Sequence, residues 1–354
     1  MVNAAARRLP LFAAAAICLI AGVAAGEGRL GWPGPTAELM AIHGPLMVAG
    51  FFGTVIGLER AVALGRPWGF AAPAASALGG LVLIVGQVEA GAIALTLASL
   101  IFLGMALNVI WRQREIFTAV LALGALAWVG GNAVWLAGWP LLSAVPLWAG
   151  FLVLTIAGER LELSRFLPPW RWRVPTLVPV LALLVAGAGL GPGESPLAWR
   201  LFGAGLVALT LWSVRNDVIR RTIRQPGLTR YVAVALLSGY VWAAVAGVLM
   251  AVTAPGDGGP LTDAALHALF IGFVFAMVFG HAPVILPALL RVAVPHRGYF
   301  YLPLALLHAS LILRLAGDLA DHHDWRQWGG LTNAVAIAVF IIVMAATVVI
   351  ARRK

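Results

Sequence analysis

Four histidines interrupt apolar helical stretches of this 354-residue chain. Imidazole is the side chain best suited to ligate iron, copper or zinc inside a helix bundle, or to relay a proton near neutral pH. His43 and His267 each fall about two turns inside the outer end of an expected membrane span, and His281 and His308 lie roughly nine residues from the inner end of one. An ionisable ring in hydrocarbon is costly, so it marks a site. Two matched pairs at two depths predict two centres stacked across a membrane, each with axial imidazole ligands. His267 and His281 stand fourteen residues apart. At 1.5 Å per residue that is about 21 Å along one axis and within ~40° of a whole number of turns, so both share a face but cannot ligate one ion.

The elements that must position these rings are membrane helices. The sequence is 62% hydrophobic and 11% charged, with mean hydropathy +0.95, outside the range of soluble domains. Twelve apolar runs can each cross a ~30 Å hydrocarbon core: 9–26, 36–58, 70–87, 91–110, 116–138, 141–158, 175–191, 198–214, 229–252, 262–290, 299–317 and 329–350. The first also has the look of a secretory signal, with Arg7-Arg8 before an apolar run, and is read as a retained helix.

An even count puts both termini on one side. Taking that side as cytoplasmic places 20 of the 24 Lys/Arg there and leaves Arg29, Arg200, Arg314 and Arg326 outside. The expected location is the inner (cytoplasmic) membrane. The net charge of +10 is then a topology signal with attraction to anionic headgroups. Spread over many loops, it gives no footprint for nucleic acid. The single Cys18 excludes an internal disulfide and a cysteine-based cluster, and without a CxxCH motif any haem is held non-covalently.

The chain reads as one integral membrane domain with an internal repeat. Gly50-Phe51 leads to Glu59-Arg60, Gly150-Phe151 to Glu159-Arg160, and Gly272-Phe273 to Gly280-His281. Each motif sits on the second helix of a set of four, which predicts three parallel repeats at about 1–111, 112–228 and 229–354.

Twelve helices in three quasi-equivalent sets of four, with one histidine on helix two and another on helix ten, resemble subunit I of the haem–copper oxidases and nitric oxide reductases. The His267-Ala268-Leu269 helix and the following Leu313-Arg314-Leu315 helix are similar to the NnrS family, polytopic proteins described as containing haem and copper. The resemblance implies an all-α, polytopic membrane bundle in which His43 and His267 are the axial ligands of a low-spin haem b in the outer half. The chain departs from the oxidases where their copper ligands and their second haem ligand on helix ten should be. The spans at 141–158 and 175–191 carry no histidine, and position 265, two before His267, is Ala. A dinuclear haem–copper centre is therefore not expected.

Arg314, near the outer end of its span, suits a haem propionate, or else snorkels to the headgroups. The inner pair His281 and His308, on consecutive antiparallel helices, suits a small metal such as copper or zinc, a water cluster or a proton path, with Glu159 as a third partner through its repeat position. The ring of His281 has a competing use, because Pro283 and Pro287 free backbone carbonyls. Met47, four residues after His43, offers a soft copper(I) ligand or simple core packing. Glu59 and Glu159, beside Arg60 and Arg160, read as interfacial ion pairs, and Asp318–Asp324 as an acidic outer loop with metal-compatible side chains.

Two functional classes follow. One is a haem-binding membrane redox protein, served by a periplasmic or membrane electron donor, which passes electrons or handles nitric oxide or oxygen stress. The other is a transporter or permease whose histidines relay protons or bind substrate or metal. Parallel repeats favour the first, since transporters more often show inverted ones. Whether the chain is catalytic, the sequence leaves open.

Overall fold

The computed structural model describes residues 8–168, 170–193, 195–253 and 258–352. Arg7, Arg353 and Lys354, counted above among the basic residues, lie outside the described residues. Among those described there is no strand, and eleven helices are long and apolar enough to cross a membrane. They are α1 (Leu9–Arg29), α2 (His43–Leu64), α3 (Pro67–Ile84), α4 (Val88–Arg112), α5 (Ile116–Leu136), α6 (Leu141–Ser164), α8 (Pro196–Asn216), α9 (Gly227–Val252), α10 (Pro260–Leu290), α11 (Gly298–Leu319) and α12 (His323–Arg352). The apolar α7 (Arg173–Gly189), at 17 residues, completes twelve. The protein is an all-α polytopic bundle.

Packing divides the helices into two compact units. One runs up to Glu159 and includes Gly191–Gly193, and the other takes Arg160–Leu190 and the chain beyond Glu194. The division falls within α6 and groups the helices by six, whereas the repeat boundaries expected near 111 and 228 group them by four.

In the first unit Trp128 of α5 stacks on Phe151 of α6, 4.8 Å between centroids, with Phe102 of α4 edge-on at 5.4 Å. Asn132 crosses the same core: its amide donates to the Leu95 carbonyl at 2.9 Å and its oxygen accepts from Trp148 Nε1 at 2.9 Å. These bonds satisfy a buried amide that would otherwise be costly in lipid.

Helix α2 does not begin where the apolar run does. Thr36 caps a short helix, Ala37–Ala41, and the backbone then breaks at Ile42 (φ −102°, ψ 14°), so α2 starts on His43 instead of carrying it two turns inside. The next segment, Leu46–Phe52, is π-helical. Its i→i+5 turns disturb the usual pairing of carbonyls. Ser76 of α3 donates to the Ala49 carbonyl and Thr54 to that of Gly50, each at 2.6 Å. The helix ends at Gly65, whose left-handed φ of 65° suits a residue without a side chain.

In the second unit α8 and α9 cross on glycines. A Cβ on Gly203 would stand 2.5 Å from the Gly247 carbonyl oxygen, so only glycine permits this approach. Helix α10 repeats the construction of α2: a short α segment ending on His267, a π segment over Ala268–Phe275, then α-helix to Leu290. Because π turns intervene between His267 and His281, the 3.6-residue phase that put both on one face does not carry across. Further on, Pro283 has no N–H to offer the Phe279 carbonyl four residues back. Tyr231 of α9 supplies the missing donor at 3.1 Å.

Replacing Tyr231 with Phe should leave that buried carbonyl unbonded, at a cost of about 1–3 kcal/mol. Thermal unfolding in detergent should show a lower Tm for Tyr231→Phe. An unchanged Tm would mean that the carbonyl has found another donor.

Candidate functional site

The structure gives each sequence-singled histidine a defined set of partners. On the first residue of α2, His43 turns its Nδ1 to the Gly22 carbonyl of α1 at 2.7 Å. A carbonyl only accepts, so Nδ1 carries the proton and the neutral ring leaves the lone pair on Nε2. The ring fits a notch in α1: a Cβ on Gly26 would lie 2.9 Å from its Cε1. The first helix is thus part of the His43 site.

His267 is held by its own helix. Its Nδ1 lies 2.9 Å from the Asp263 carbonyl and 3.2 Å from the Asp263 carboxylate, so one N–H serves both, and again Nε2 keeps the lone pair. The other carboxylate oxygen of Asp263 accepts from Arg314 Nη2 at 2.9 Å and Nε at 3.2 Å. Arg314 is buried. The sequence reading set a haem propionate against Arg314, whereas the anion it meets here is Asp263. Asp318, read as part of an outer loop, belongs to α11, and its side chain is fully enclosed, 3.7 Å from Arg326. Asp318 interacts electrostatically with Asp263, Arg314 and Arg326, and Asp263 with His267 and Arg314, which links two carboxyl groups and two guanidinium groups to the His267 ring through Asp263. The loop beyond α11 is short: Asp321 takes a left-handed φ of 51°, and His322 stacks on Trp325 at 4.8 Å.

The inner pair has other partners than those expected. His281 directs Nδ1 to the Met277 carbonyl, one turn back, at 2.8 Å. The carbonyl freed by Pro283 goes to Tyr231, so the ring caps a different carbonyl from the one the proline suggested. His308 turns to α9. Trp242 Nε1 donates to its Nδ1 at 3.0 Å, which forces the proton onto Nε2, and Nε2 donates to Ser238 Oγ at 2.8 Å. Both ring nitrogens are occupied, and neither offers a lone pair to an ion. Glu159 belongs to the first unit, where it pairs with Arg60. Among the described residues no group of three or more His, Cys, Asp or Glu is placed to hold a metal ion. Of the copper or zinc set expected from sequence, His308 has both ring nitrogens bonded and Glu159 pairs with Arg60, while His281 is bonded at Nδ1 to a carbonyl of its own helix.

The two Glu-Arg motifs also pair differently from their order in the chain. Arg60 meets Glu159 across α2 and α6. Arg160 instead forks onto Asp217, Nε to Oδ2 at 2.7 Å and Nη2 to Oδ1 at 2.5 Å. Asp217 also accepts from Tyr240 at 2.6 Å and from the Ile219 amide at 3.0 Å. All four of its bonds come from residues of the second unit, and the carboxylate is buried and saturated.

Sequence reasoning missed Asp263, although its i−4 spacing from His267 puts both on one helix face and could have found it. It also missed Ser238 and Trp242, which share a face of α9 at the same spacing. No motif marks them, because their role is set by how α11 packs on α9.

Arg314→Met should strand the Asp263 carboxylate. The expected loss is about 2–3 kcal/mol, less than the ~3–5 kcal/mol of a fully enclosed pair, because 27% of the Asp263 side chain is exposed. Thermal unfolding should find Arg314→Met less stable than the Asp263→Leu/Arg314→Leu double variant. The reverse order would refute the pairing.

No curated protein matches the chain. A family model described as a domain of unknown function (DUF8744) matches residues 8–349, nearly all of the sequence. The chain belongs to the DUF8744 family.

Proposed function

We propose that the protein is a haem-binding redox protein of the inner membrane, with both termini cytoplasmic, that transfers electrons or handles nitric oxide or oxygen stress, in line with its likeness to the NnrS family. One observation carries this reading. At both His43 and His267 the Nδ1 proton is fixed by a main-chain carbonyl, which is how metal-bound imidazoles are commonly oriented, leaving Nε2 as the ligating atom. A π segment also follows each ring, three residues after His43 and directly after His267, a deviation frequent at functional sites.

Haem, when bound, would supply a one-electron couple, and the residues of the chain set its surroundings. Asp263 hydrogen-bonds the N–H of His267 and makes that ring the more basic ligand. On the corresponding side His43 bonds the neutral Gly22 carbonyl. Arg314 neutralises Asp263, so the carboxylate remains charged in a low-dielectric setting.

A second reading, a proton-coupled transporter, draws on the ionisable set Asp263, His267, Arg314, Asp318 and Arg326. An enclosed carboxylate beside a histidine can hold and pass a proton.

Absorption spectra of the purified protein, oxidised and dithionite-reduced, distinguish the two. The redox reading expects a low-spin b-type spectrum, lost in His43→Ala and in His267→Ala, with haem retention weakened about tenfold or more in Asp263→Asn. Complete loss in either single variant assigns both rings to one iron, and half-loss in each assigns them to two. Protein that neither carries nor takes up haem, yet drives proton-coupled flux in vesicles, would replace the redox reading with the transporter. Reporter fusions at Arg224 and His322 should land on opposite membrane faces, with Arg224 inside.

A further inference from the structure

The basic loops between α6 and α7 and between α8 and α9 look, in sequence, like ordinary markers of membrane orientation. In the structure they converge on one cavity of about 460 Å³, lined by Trp170, Arg173, Arg215, Arg220, Arg221 and Arg224. Five arginines line one small space. The one acidic side chain in its wall, Asp217, is already saturated by Arg160, Tyr240 and the Ile219 amide. The wall therefore carries a large uncompensated positive charge, which concentrates anions.

The cavity is also built and not merely charged. Arg173 is fixed by its own donors, Nη1 to the Ser164 carbonyl at 3.0 Å and Nη2 to the Pro168 carbonyl at 2.9 Å, while its buried Nε has no partner. Its backbone is pinned in turn, because Trp212 Nε1 donates to the Arg173 carbonyl at 3.1 Å. Arg215 places its Cζ over the Trp170 ring, 4.5 Å from the centroid, a contact that restrains the side chain. All the basic side chains of the wall are arginine, whose fork matches two oxygens of a phosphate where lysine offers a point charge. The volume falls within the range of small-molecule sites.

We propose that this cavity binds a phosphate group, carried either by the headgroup of an anionic membrane lipid or by a free phosphate species. Its place at the helix ends, on the side rich in arginine, sets it at headgroup level, where basic pockets between membrane helices hold anionic lipids. The inference is independent of the histidine reading.

Thermal unfolding of the full chain in neutral detergent, with added inorganic phosphate or with phosphatidylglycerol mixed into the micelles, tests it. At least one addition should raise Tm in a saturable way, and phosphatidylcholine should not. Saturation by phosphate alone identifies a free species, and a response to phosphatidylglycerol alone identifies the headgroup. The exposed pair Arg221→Gln/Arg224→Gln should weaken the response about tenfold or more. Arg112→Gln/Arg114→Gln, which removes the same charge from another loop, should leave it intact. Arg173→Gln should weaken it as well, and because the hydrogen bonds of the exposed pair run through the backbone, which Gln retains, a folding defect in Arg173→Gln alone would not obscure the result. No response to either addition, or equal weakening by the pocket and control pairs, overturns the proposal.

Discussion

Hydrocarbon offers no water to a carbonyl that a helix leaves unbonded, and that constraint governs where the polar side chains of this protein go. Ala49 and Gly50, in the π segment of α2, receive hydroxyls from Ser76 and Thr54. Phe279, deprived of its donor by Pro283, receives one from Tyr231. Three of the four intramembrane histidines also turn Nδ1 to main-chain carbonyls, those of Gly22, Asp263 and Met277. The carbonyl that takes the Nδ1 proton is what leaves Nε2 with its lone pair. His308 is the exception that makes the logic visible. Its donors and acceptors come from the side chains of Trp242 and Ser238, and the ring is consumed by them.

Charge follows the same economy. Glu159 and Arg160 are neighbours on α6, yet each pairs with a distant residue of its own unit, Arg60 in one case and Asp217 in the other. Adjacent residues on a helix point about 100° apart, so a Glu-Arg step cannot close on itself and serves two partners instead. The Glu-Arg motif that drew attention in sequence is thus an anchoring device for each unit. Asp217 illustrates the energetic condition for burying such a pair: every lone pair that faces the protein finds a donor.

The helices were legible because a membrane span announces itself by length and apolarity alone. Twelve runs became twelve helices, and the two turns between Pro260 and His267 came out as expected. What escaped was everything decided by a break in regularity. Ile42 ends one helix inside a continuous apolar run, and the π segments change the phase of α2 and α10, but neither leaves a compositional trace. Partners escaped for a similar reason. Asp263 could have been found from its spacing, whereas Trp242 and Ser238 become partners of His308 only through the packing of α11 against α9.

The π segments also act as a gear. A wide turn advances the helix by a smaller angle per residue than an α turn does, so each such segment rotates everything beyond it relative to a regular helix. In α2 it sits between His43 at one end and Arg60 at the other. A regular α-helix of the same length would turn Arg60 away from its present direction, whereas shortening the chain by one residue within Leu46–Phe52 would let the helix relax to 3.6 residues per turn with its far end turned by only about 30°. Arg60 would then stay close to Glu159. The segment thus absorbs one residue of extra length while both ends of the helix keep their aim.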